Sequence, residues 1–229
     1  MTAESKLADL ASAGFRPGVV YDVGAYNCKW CLDTAKLFPE ASYHLFEPLA
    51  QTAYQPPLLK ARLQEMPPGT RLHPFALGDQ TGVTKMAISP DPRGSTTLDI
   101  GLAAGTVYFP NTIEVKQCSI DQLVAEGTIP PAQLIKIDAQ GSELAILHGG
   151  AETIQDYAAV LQLECWLYRS YGPNTPLLGE IIEFLDTLGF GVLDLLEPVR
   201  HESGKLHALD VFFAKADILA QACGLPRND

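Results

Sequence analysis

The sequence predicts an α/β fold: a mostly parallel seven-stranded sheet with helices on both faces and a C-terminal antiparallel hairpin strand. Two observations carry this prediction. From Val19 onward, short β-branched segments alternate with helical segments, the order that builds a parallel sheet covered on both faces. The last two strand-like segments, residues 192–196 and 208–214, are joined instead by a polar turn, which predicts a hairpin.

The elements follow in order along the chain. Residues 1–18 are predicted to form an N-terminal helix, closed by Gly14, and a lead-in to the first strand. The five parallel strands are predicted at residues 19–23, 43–46, 72–77, 134–137 and 159–164. Helices are predicted at residues 30–38, 142–147 and 177–188, with a less regular segment at residues 49–64.

Residues 78–114 break this alternation. Glycines and prolines separate short strand-like pieces such as residues 84–89. A long segment outside the regular alternation is usually functional or mobile. We interpret it as an inserted hairpin, a lid-like segment over the site, within a single domain that spans residues 1–229.

Composition narrows the class of protein. The 229 residues, 47% of them hydrophobic, suffice for one full α/β core. A net charge of −11 without a basic stripe argues against a nucleic-acid partner. Because no apolar run has the length of a signal peptide or a membrane span, and the five cysteines show no disulfide framework, we expect a cytoplasmic protein with reduced thiols.

The first candidate site lies where the first two strands end. Asp22 and Gly24 close the first strand, and Glu47 follows the second about twenty residues later. In a Rossmann-type site, the glycine lets backbone N–H groups approach the ligand and the carboxylate accepts hydrogen bonds from ribose hydroxyls. The full G-x-G-x-x-G of a dinucleotide site is missing, which favours S-adenosylmethionine over a nicotinamide or flavin cofactor.

The second candidate site follows the strand at residues 134–137. Asp138 lies at its carboxyl end, next to the point where the strand order is predicted to reverse and where ligands of open sheets bind. Lys136 shares a face with Asp138 and must either pair with an acid or point into the site. Asp138 can also be read as a cap, and Glu143 is more readily explained as one.

Residues 21–25, 46–48, 76–79 and, most specifically, 135–150 resemble the FkbM-type methyltransferases. The likeness extends from Val19 to about Leu195, and the terminal hairpin fits the antiparallel strand that class I methyltransferases insert into their sheet. The resemblance implies an S-adenosylmethionine-dependent enzyme that O-methylates a hydroxyl of a sugar, a glycan or a secondary metabolite. It implies a small-molecule or glycan acceptor and S-adenosylhomocysteine as the product.

The resemblance also implies roles for particular residues. The cofactor would be held by Asp22, Gly24, Ala25, Tyr26, Asn27, Glu47, Pro48, Leu77, Gly78, Asp79 and Asp138. The sequence departs from the family at Tyr26 and Cys28, where relatives usually have asparagine and glycine, and at Gln140, where many have glutamate.

Candidate catalytic residues are Asp138, then Glu164 as a second possible base, and Lys136. Candidate acceptor-binding residues are Trp166, Tyr168, Tyr171 and Ser95, although aromatic side chains in a loop are also common as buried anchors. The histidines are dispersed, so no metal site is predicted.

Three alternatives stay open at this point. A nicotinamide-dependent oxidoreductase would share the strand, glycine and carboxylate pattern, although the missing glycines oppose it. A non-catalytic Rossmann-like binding protein would account for the altered turn at residues 26–28. Cys28 and Cys31 have the spacing of a redox pair, but the preceding glycine motif and the strand order favour ordinary thiols.

Overall fold

The computed structural model describes residues 2–101, 108–200 and 203–223. Its strands are β1 (Val19–Val23), β2 (Ser42–Phe46), β3 (Arg71–His73), β4 (Ala76–Leu77), β5 (Gly82–Ile88), β6 (Asn111–Cys118), β7 (Leu134–Ile137), β8 (Val160–Trp166), β9 (Phe190–Arg200) and β10 (Leu206–Lys215). Its helices are α1 (Ala3–Ser12), α2 (Lys29–Leu37), α3 (Leu59–Leu63), α4 (Ile120–Ala125), α5 (Glu143–His148), α6 (Ala151–Tyr157), α7 (Leu178–Thr187) and α8 (Ala216–Cys223).

The predicted fold class is confirmed. Within the described ranges, seven strands form one sheet in the order β3-β2-β1-β7-β8-β10-β9. The pairs from β3 to β8 are parallel, whereas β10 runs antiparallel to both β8 and β9. The strand order therefore reverses between β1 and β7, and β10 is inserted between β8 and the edge strand β9.

The sheet separates two apolar layers. One contains Tyr21, Ile135 and Leu161 and continues into α4, α5, α6 and α7, whereas the other contains Val20 and Leu134 and continues into α1 and α2. Central strands buried on both faces need nearly continuous apolar sequence, which explains why the predicted strands were short β-branched runs. The polar residues Lys136 of β7 and Gln162 and Glu164 of β8 lie on the face toward α1 and α2, where a cavity opens.

The prediction of one strand at residues 72–77 was wrong. Pro74 lacks an N–H group and cannot donate to a neighbouring strand. The strand therefore ends at His73 as β3, and after a short break β4 joins a different sheet, pairing with β6.

This second sheet is built largely by the irregular segment. β5 and β6 pair antiparallel along their whole lengths, from Gly82 opposite Gln117 to Ile88 opposite Asn111. The chain between them folds back toward the main sheet, where Thr97 Oγ1 and Ser142 Oγ lie 2.9 Å apart. Residues 102–107, which the predicted insert also includes, lie outside the described residues.

The short helices α4 and α6 were not predicted, and neither was α8. Ser119 begins α4 by accepting a hydrogen bond from the Gln122 N–H, and Asp121 accepts hydrogen bonds from the N–H groups of Glu152 and Thr153 at the start of α6. With six and seven residues, both helices are too short for a clear apolar periodicity. For α4, the N-cap Ser119 was the available sequence signal, whereas α6 begins after Gly150 without a side-chain cap.

No helix in the described part of the chain is long and apolar enough to cross a membrane.

Candidate active site

A cavity of about 770 Å³ opens at the carboxyl ends of β1, β2, β7 and β8. Its volume lies within the range of roughly 300–1,000 Å³ that is usual for small-molecule sites. Ligands of open α/β sheets bind at this edge, at the point where the strand order reverses. The start of α1, the start of α2 and part of the segment between β5 and β6 complete the walls.

The turn after β1 brings backbone segments into close contact. Gly24 has a φ of +71°, and a Cβ atom there would lie 1.9 Å from the carbonyl oxygen of Asp138. Because that oxygen belongs to the backbone of the next strand, no larger residue fits. The N–H groups of Gly24 and Ala25 donate to the Phe46 carbonyl at 3.0 and 3.2 Å. The turn is thus fixed against the ends of both β2 and β7.

The two residues at which the turn departs from the family adopt left-handed conformations. Tyr26 has a φ of +46° and Cys28 a φ of +65°. Such conformations cost on the order of 1–3 kcal/mol for residues other than glycine and persist only where the surroundings enforce them. Here Cys28 is fully buried at the start of α2. The turn keeps the left-handed geometry without a glycine, and Cys28 and Cys31 are buried free thiols.

Glu47, which follows β2, binds the turn after β1 through its carboxylate. Its carboxylate accepts the Tyr26 N–H at 2.8 Å and the Leu49 N–H at 2.9 Å. Burial raises the pKa of Glu47, while these two hydrogen bonds act in the opposite direction. Each carboxylate oxygen has a second lone pair, so the oriented group can still accept hydrogen bonds from a ribose. Glu47 and the left-handed turn therefore depend on one another.

Lys136 is the cationic centre of the site. Its Nζ lies 3.2 Å from Asp22 Oδ1 and 3.4 Å from Asp138 Oδ2, and it donates to the Gly24 carbonyl at 3.3 Å. Burial by itself would lower the pKa of Lys136, but the two carboxylates outweigh it and raise the pKa above its usual range. Lys136 is therefore an ammonium group that cannot act as a base. In the structure Lys136 contacts Asp138, and its catalytic role stays a prediction.

Gln140 joins the two candidate bases. Its Nε2 donates to Asp138 Oδ1 at 2.8 Å and to Glu164 Oε2 at 2.7 Å, and its Oε1 accepts the hydroxyl of Tyr171. Burial, followed by the charges of Asp138 and nearby acids, raises the pKa of Glu164 to about 9. This shift favours the neutral form of Glu164, which cannot take up a proton.

Glu143 shapes the loop that carries Asp138 and Gln140. Its buried carboxyl group accepts hydrogen bonds from the N–H groups of Ala139 and Gly141, each at 2.9 Å. Burial raises the pKa of Glu143 to about 7. It does not line the cavity among the described residues, so the cap interpretation fits its position.

The structure divides the residues proposed for the site into two groups. Those that line the cavity are Gly24, Ala25, Tyr26, Asn27, Glu47, Pro48, Leu77, Ser95, Lys136, Asp138 and Glu164. Those that lie outside the described lining are Asp22, Gly78, Asp79, Trp166, Tyr168 and Tyr171.

Packing explains why Asp22, Gly78 and Asp79 lie outside the described lining. Asp22 is completely buried and reaches the cavity only through Lys136. Gly78 contacts the end of α5 so closely that a Cβ on Gly149 would lie 2.0 Å from the Gly78 carbonyl oxygen. Asp79 is exposed away from the cavity. The two glycines are therefore required for packing, and the predicted contact of Gly78 with the cofactor stays a prediction.

The aromatic residues after β8 pack on one another. The Trp166 ring meets Tyr171 and His207 edge-on, with ring centroids 5.2 and 5.3 Å apart. Tyr168 is about half exposed, and the Tyr171 hydroxyl donates a hydrogen bond to Gln140 Oε1. Of the predicted acceptor contacts, Ser95 alone lines the described cavity, and its Oγ accepts the Ser89 N–H at 3.1 Å.

The prediction missed a polar chain on the cavity floor. Trp30 Nε1 donates to Gln162 Oε1 at 2.9 Å, and Gln162 Nε2 donates to Asp210 Oδ2 at 2.8 Å. The signal was present, because Gln162 shares a face of its strand with Glu164 and interrupts an apolar run, as Lys136 does in β7. The sequence did not show that β10 places Asp210 opposite Glu164.

The strand order and the cavity are those of a class I methyltransferase. The family described as the methyltransferase FkbM domain matches residues 22–192, and the chain belongs to that family. The chain is thus a methyltransferase, and its cofactor is S-adenosylmethionine. This membership excludes the nicotinamide-dependent oxidoreductase.

Two individual proteins are similar to the chain. The 31-O-demethyl-FK506 methyltransferase FkbM of Streptomyces tacrolimicus is 27% identical over 209 residues, which cover 80% of this chain and 77% of that protein. The crystal structure of methyltransferase FkbM from Methylobacillus flagellatus KT matches with a TM-score of 0.51 and 14% identity. That match covers 86% of this chain but 43% of the other, so the chain spans less than half of that protein's length. At this identity the structural likeness shows the fold alone.

Replacing Gly24 by alanine should lower the free energy of unfolding by at least ~3 kcal/mol, because the added Cβ collides with backbone. Gly69→Ala is the matched control: Gly69 also has a positive φ, +89°, but no atom lies within 4 Å of the added Cβ. The control should cost about 1 kcal/mol. Urea unfolding measures both, and equal losses would contradict the close approach.

Glu164→Gln should make stability less dependent on pH. The pKa of Glu164 is raised to about 9 in the folded protein, so wild-type stability is lost as pH rises from about 4.3, the ordinary pKa of a glutamate, toward 9. The glutamine variant lacks this loss and should be more stable than wild type at pH 8 by at least ~1 kcal/mol. Thermal unfolding from pH 5 to 9 measures it, with the exposed Glu65→Gln as control; parallel curves for Glu164→Gln and wild type would refute it.

Proposed function

We propose that the chain transfers the methyl group of S-adenosylmethionine to a hydroxyl of a sugar, a glycan or a secondary metabolite. The observation that carries this proposal is Asp138, an acid at the tip of β7 whose side chain is 38% exposed toward the cavity. Lys136 holds one of its oxygens and Gln140 the other. An oriented carboxylate in this position suits the removal of a hydroxyl proton.

The residues around the glycine turn fit the cofactor. Glu47 would accept the ribose hydroxyls, and the described wall beyond it is apolar, with Leu49, Leu77, Met86 and Ile146 available to an adenine ring. Backbone groups from Gly24 to Tyr26 would bound the methionine end, close to Asp138. No phosphate site is needed, in agreement with the absence of the second and third glycines of a dinucleotide motif.

The chemistry needs little beyond alignment and one proton acceptor. S-adenosylmethionine supplies a methyl group on a positively charged sulfur; the acceptor oxygen forms the new bond to carbon as the carbon–sulfur bond breaks, with its electron pair left on sulfur. The chain's residues hold the partners in line, which can be worth roughly 7–11 kcal/mol relative to a free encounter. Asp138 takes the proton of the hydroxyl.

The acceptor would occupy the part of the cavity bounded by Trp30, Gln162 and Asp210. An aromatic wall over amide and carboxylate groups suits a polar, hydroxyl-bearing molecule. The relative from Streptomyces tacrolimicus is named for a 31-O-demethyl substrate, which supports an oxygen as the methyl acceptor. The acidic floor and a net charge of −11 argue against a phosphate-rich nucleic acid.

We also infer that the protein works in the cytoplasm. The described cysteines Cys28, Cys31, Cys118 and Cys165 are free and buried, as expected in a reducing compartment.

Glu47→Ala should weaken the binding of S-adenosylmethionine and S-adenosylhomocysteine by at least ~10-fold, because two ribose hydrogen bonds to a buried carboxylate are lost together. Isothermal titration calorimetry with both ligands measures this effect. Glu65→Ala, at an exposed position far from the described lining, should bind like wild type. Wild-type protein that binds neither ligand would rule out the proposed cofactor site.

Asp138→Asn should lower kcat for methyl transfer by about 10²–10⁴-fold, the usual contribution of a general base. The exposed Asp186→Asn should leave kcat unchanged. The measurement is transfer of labelled methyl to a panel of amino sugars, neutral sugars, polyketide alcohols and phenols. Cofactor binding without transfer to any of them would contradict these classes of hydroxyl acceptor, and transfer to nitrogen alone would replace the hydroxyl in the proposal.

A further inference from the structure

We propose that Gln140 is a positioning residue of the transfer reaction: its amide group joins Asp138 to Glu164, so that the two carboxyl groups share a single negative charge and that charge stays on Asp138. This inference rests on the proposed function, because it assigns Asp138 to the reacting hydroxyl. It adds a residue that does not itself touch the reacting atoms.

The first support is geometric. A single nitrogen, Gln140 Nε2, lies 2.8 Å from an oxygen of Asp138 and 2.7 Å from an oxygen of Glu164. An amide nitrogen carries two hydrogens, so it can donate one to each carboxyl group. A carboxylate in place of this amide would bring a third acceptor to a point where two already converge.

The amide is fixed from three sides. The Tyr171 hydroxyl donates to Gln140 Oε1, which turns the nitrogen toward the two acids. The Gln140 backbone has a φ of +55°, a strained conformation for a residue with a side chain. Glu143 holds the residues on either side of it by accepting the N–H groups of Ala139 and Gly141. Tyr171, predicted as an acceptor contact, therefore acts through Gln140.

The surroundings place the charge on Asp138. Lys136 lies 3.4 Å from Asp138, whose side chain is partly exposed to the cavity, and compensates its charge directly. Among the residues that the structure describes, Glu164 has the Gln140 amide as its one hydrogen-bond partner, and burial and neighbouring acids raise its pKa. The charged and titratable groups that face the pair from the elements around it are Asp22 on β1, Lys136 on β7, Glu143 on α5, Tyr171 after β8 and Asp210 on β10.

The consequence concerns the methyl donor as well as the acceptor. In the proposed arrangement the negative charge lies on Asp138, where Lys136 compensates it, so that Asp138 is oriented to take a proton from a hydroxyl. The same charge favours the cationic S-adenosylmethionine over the neutral S-adenosylhomocysteine. Discrimination between these two ligands therefore reports the charge of Asp138 without any acceptor.

The test compares Gln140→Glu, Gln140→Met and the double variant Gln140→Glu/Glu164→Gln. Gln140→Glu adds a carboxyl of nearly the same shape, Gln140→Met removes the amide without adding charge, and the double variant exchanges amide and carboxyl between the two positions. Calorimetry from pH 5.5 to 8.5 measures the affinity of each protein for S-adenosylmethionine and S-adenosylhomocysteine. Thermal unfolding of the unliganded proteins over the same range is the second readout.

In Gln140→Glu, the added acid should compete with Asp138 for the single negative charge, so preference for S-adenosylmethionine is lost at low pH and recovers at high pH. The inflection should move up by about one pH unit, so that at a pH below both inflections the ionised fraction is about tenfold lower in the variant than in wild type. Its melting temperature should fall more steeply than that of wild type as pH rises. The double variant should restore both profiles, and Gln140→Met should show neither shift.

Three results would overturn the proposal: pH profiles of Gln140→Glu that parallel those of wild type, equal effects of Gln140→Glu and Gln140→Met, or no rescue by the double variant. Each would leave Gln140 with a packing role alone. Failure of the proposed function looks different, since it would appear as missing cofactor binding or missing methyl transfer in the wild-type protein. The unfolding profiles would still decide whether Gln140 controls the shared charge.

Discussion

The structure depends on one buried ammonium group. Lys136 lies in the middle of the parallel sheet, in contact with Asp22 of β1, the carbonyl of Gly24 and Asp138 at the end of β7. Removing Lys136 would leave the fully buried Asp22 without a compensating charge, a change that typically costs 3–5 kcal/mol. The group joins the two strands between which the sheet order reverses. It therefore fixes the edge at which the ligand binds and the acid that faces it.

The rest of the site is organised by contacts between backbone segments. Gly24 lies against the Asp138 carbonyl, and Gly149 against the Gly78 carbonyl, at distances that leave no room for a Cβ. The specific sequence block at residues 135–150 thus serves two purposes. Its first half places Asp138 and Gln140 at the cavity, while its end packs α5 against the loop after β4. Motif residues that look equivalent in the sequence have different physical functions.

Much of the fold could be predicted because it follows from local rules. Alternating apolar strands and helices give the parallel sheet, and the polar turn before Leu206 gives the hairpin. The exceptions have local causes as well: Pro74 divides a predicted strand, and short helices such as α4 have caps but little periodicity. For the site, a glycine after β1 and acids at strand ends sufficed to find the cavity.

The sequence by itself determined the order of the elements, the family and the acids at the carboxyl edge of the sheet, because these follow from residue type and spacing. Only the tertiary structure decided how those acids divide their charge. Gln140, Glu164 and Asp210 meet through strand register and loop conformation, across separations of 24 and 46 residues along the chain. Charge and hydrogen bonding depend on distances in space, which the linear spacing of residues does not contain.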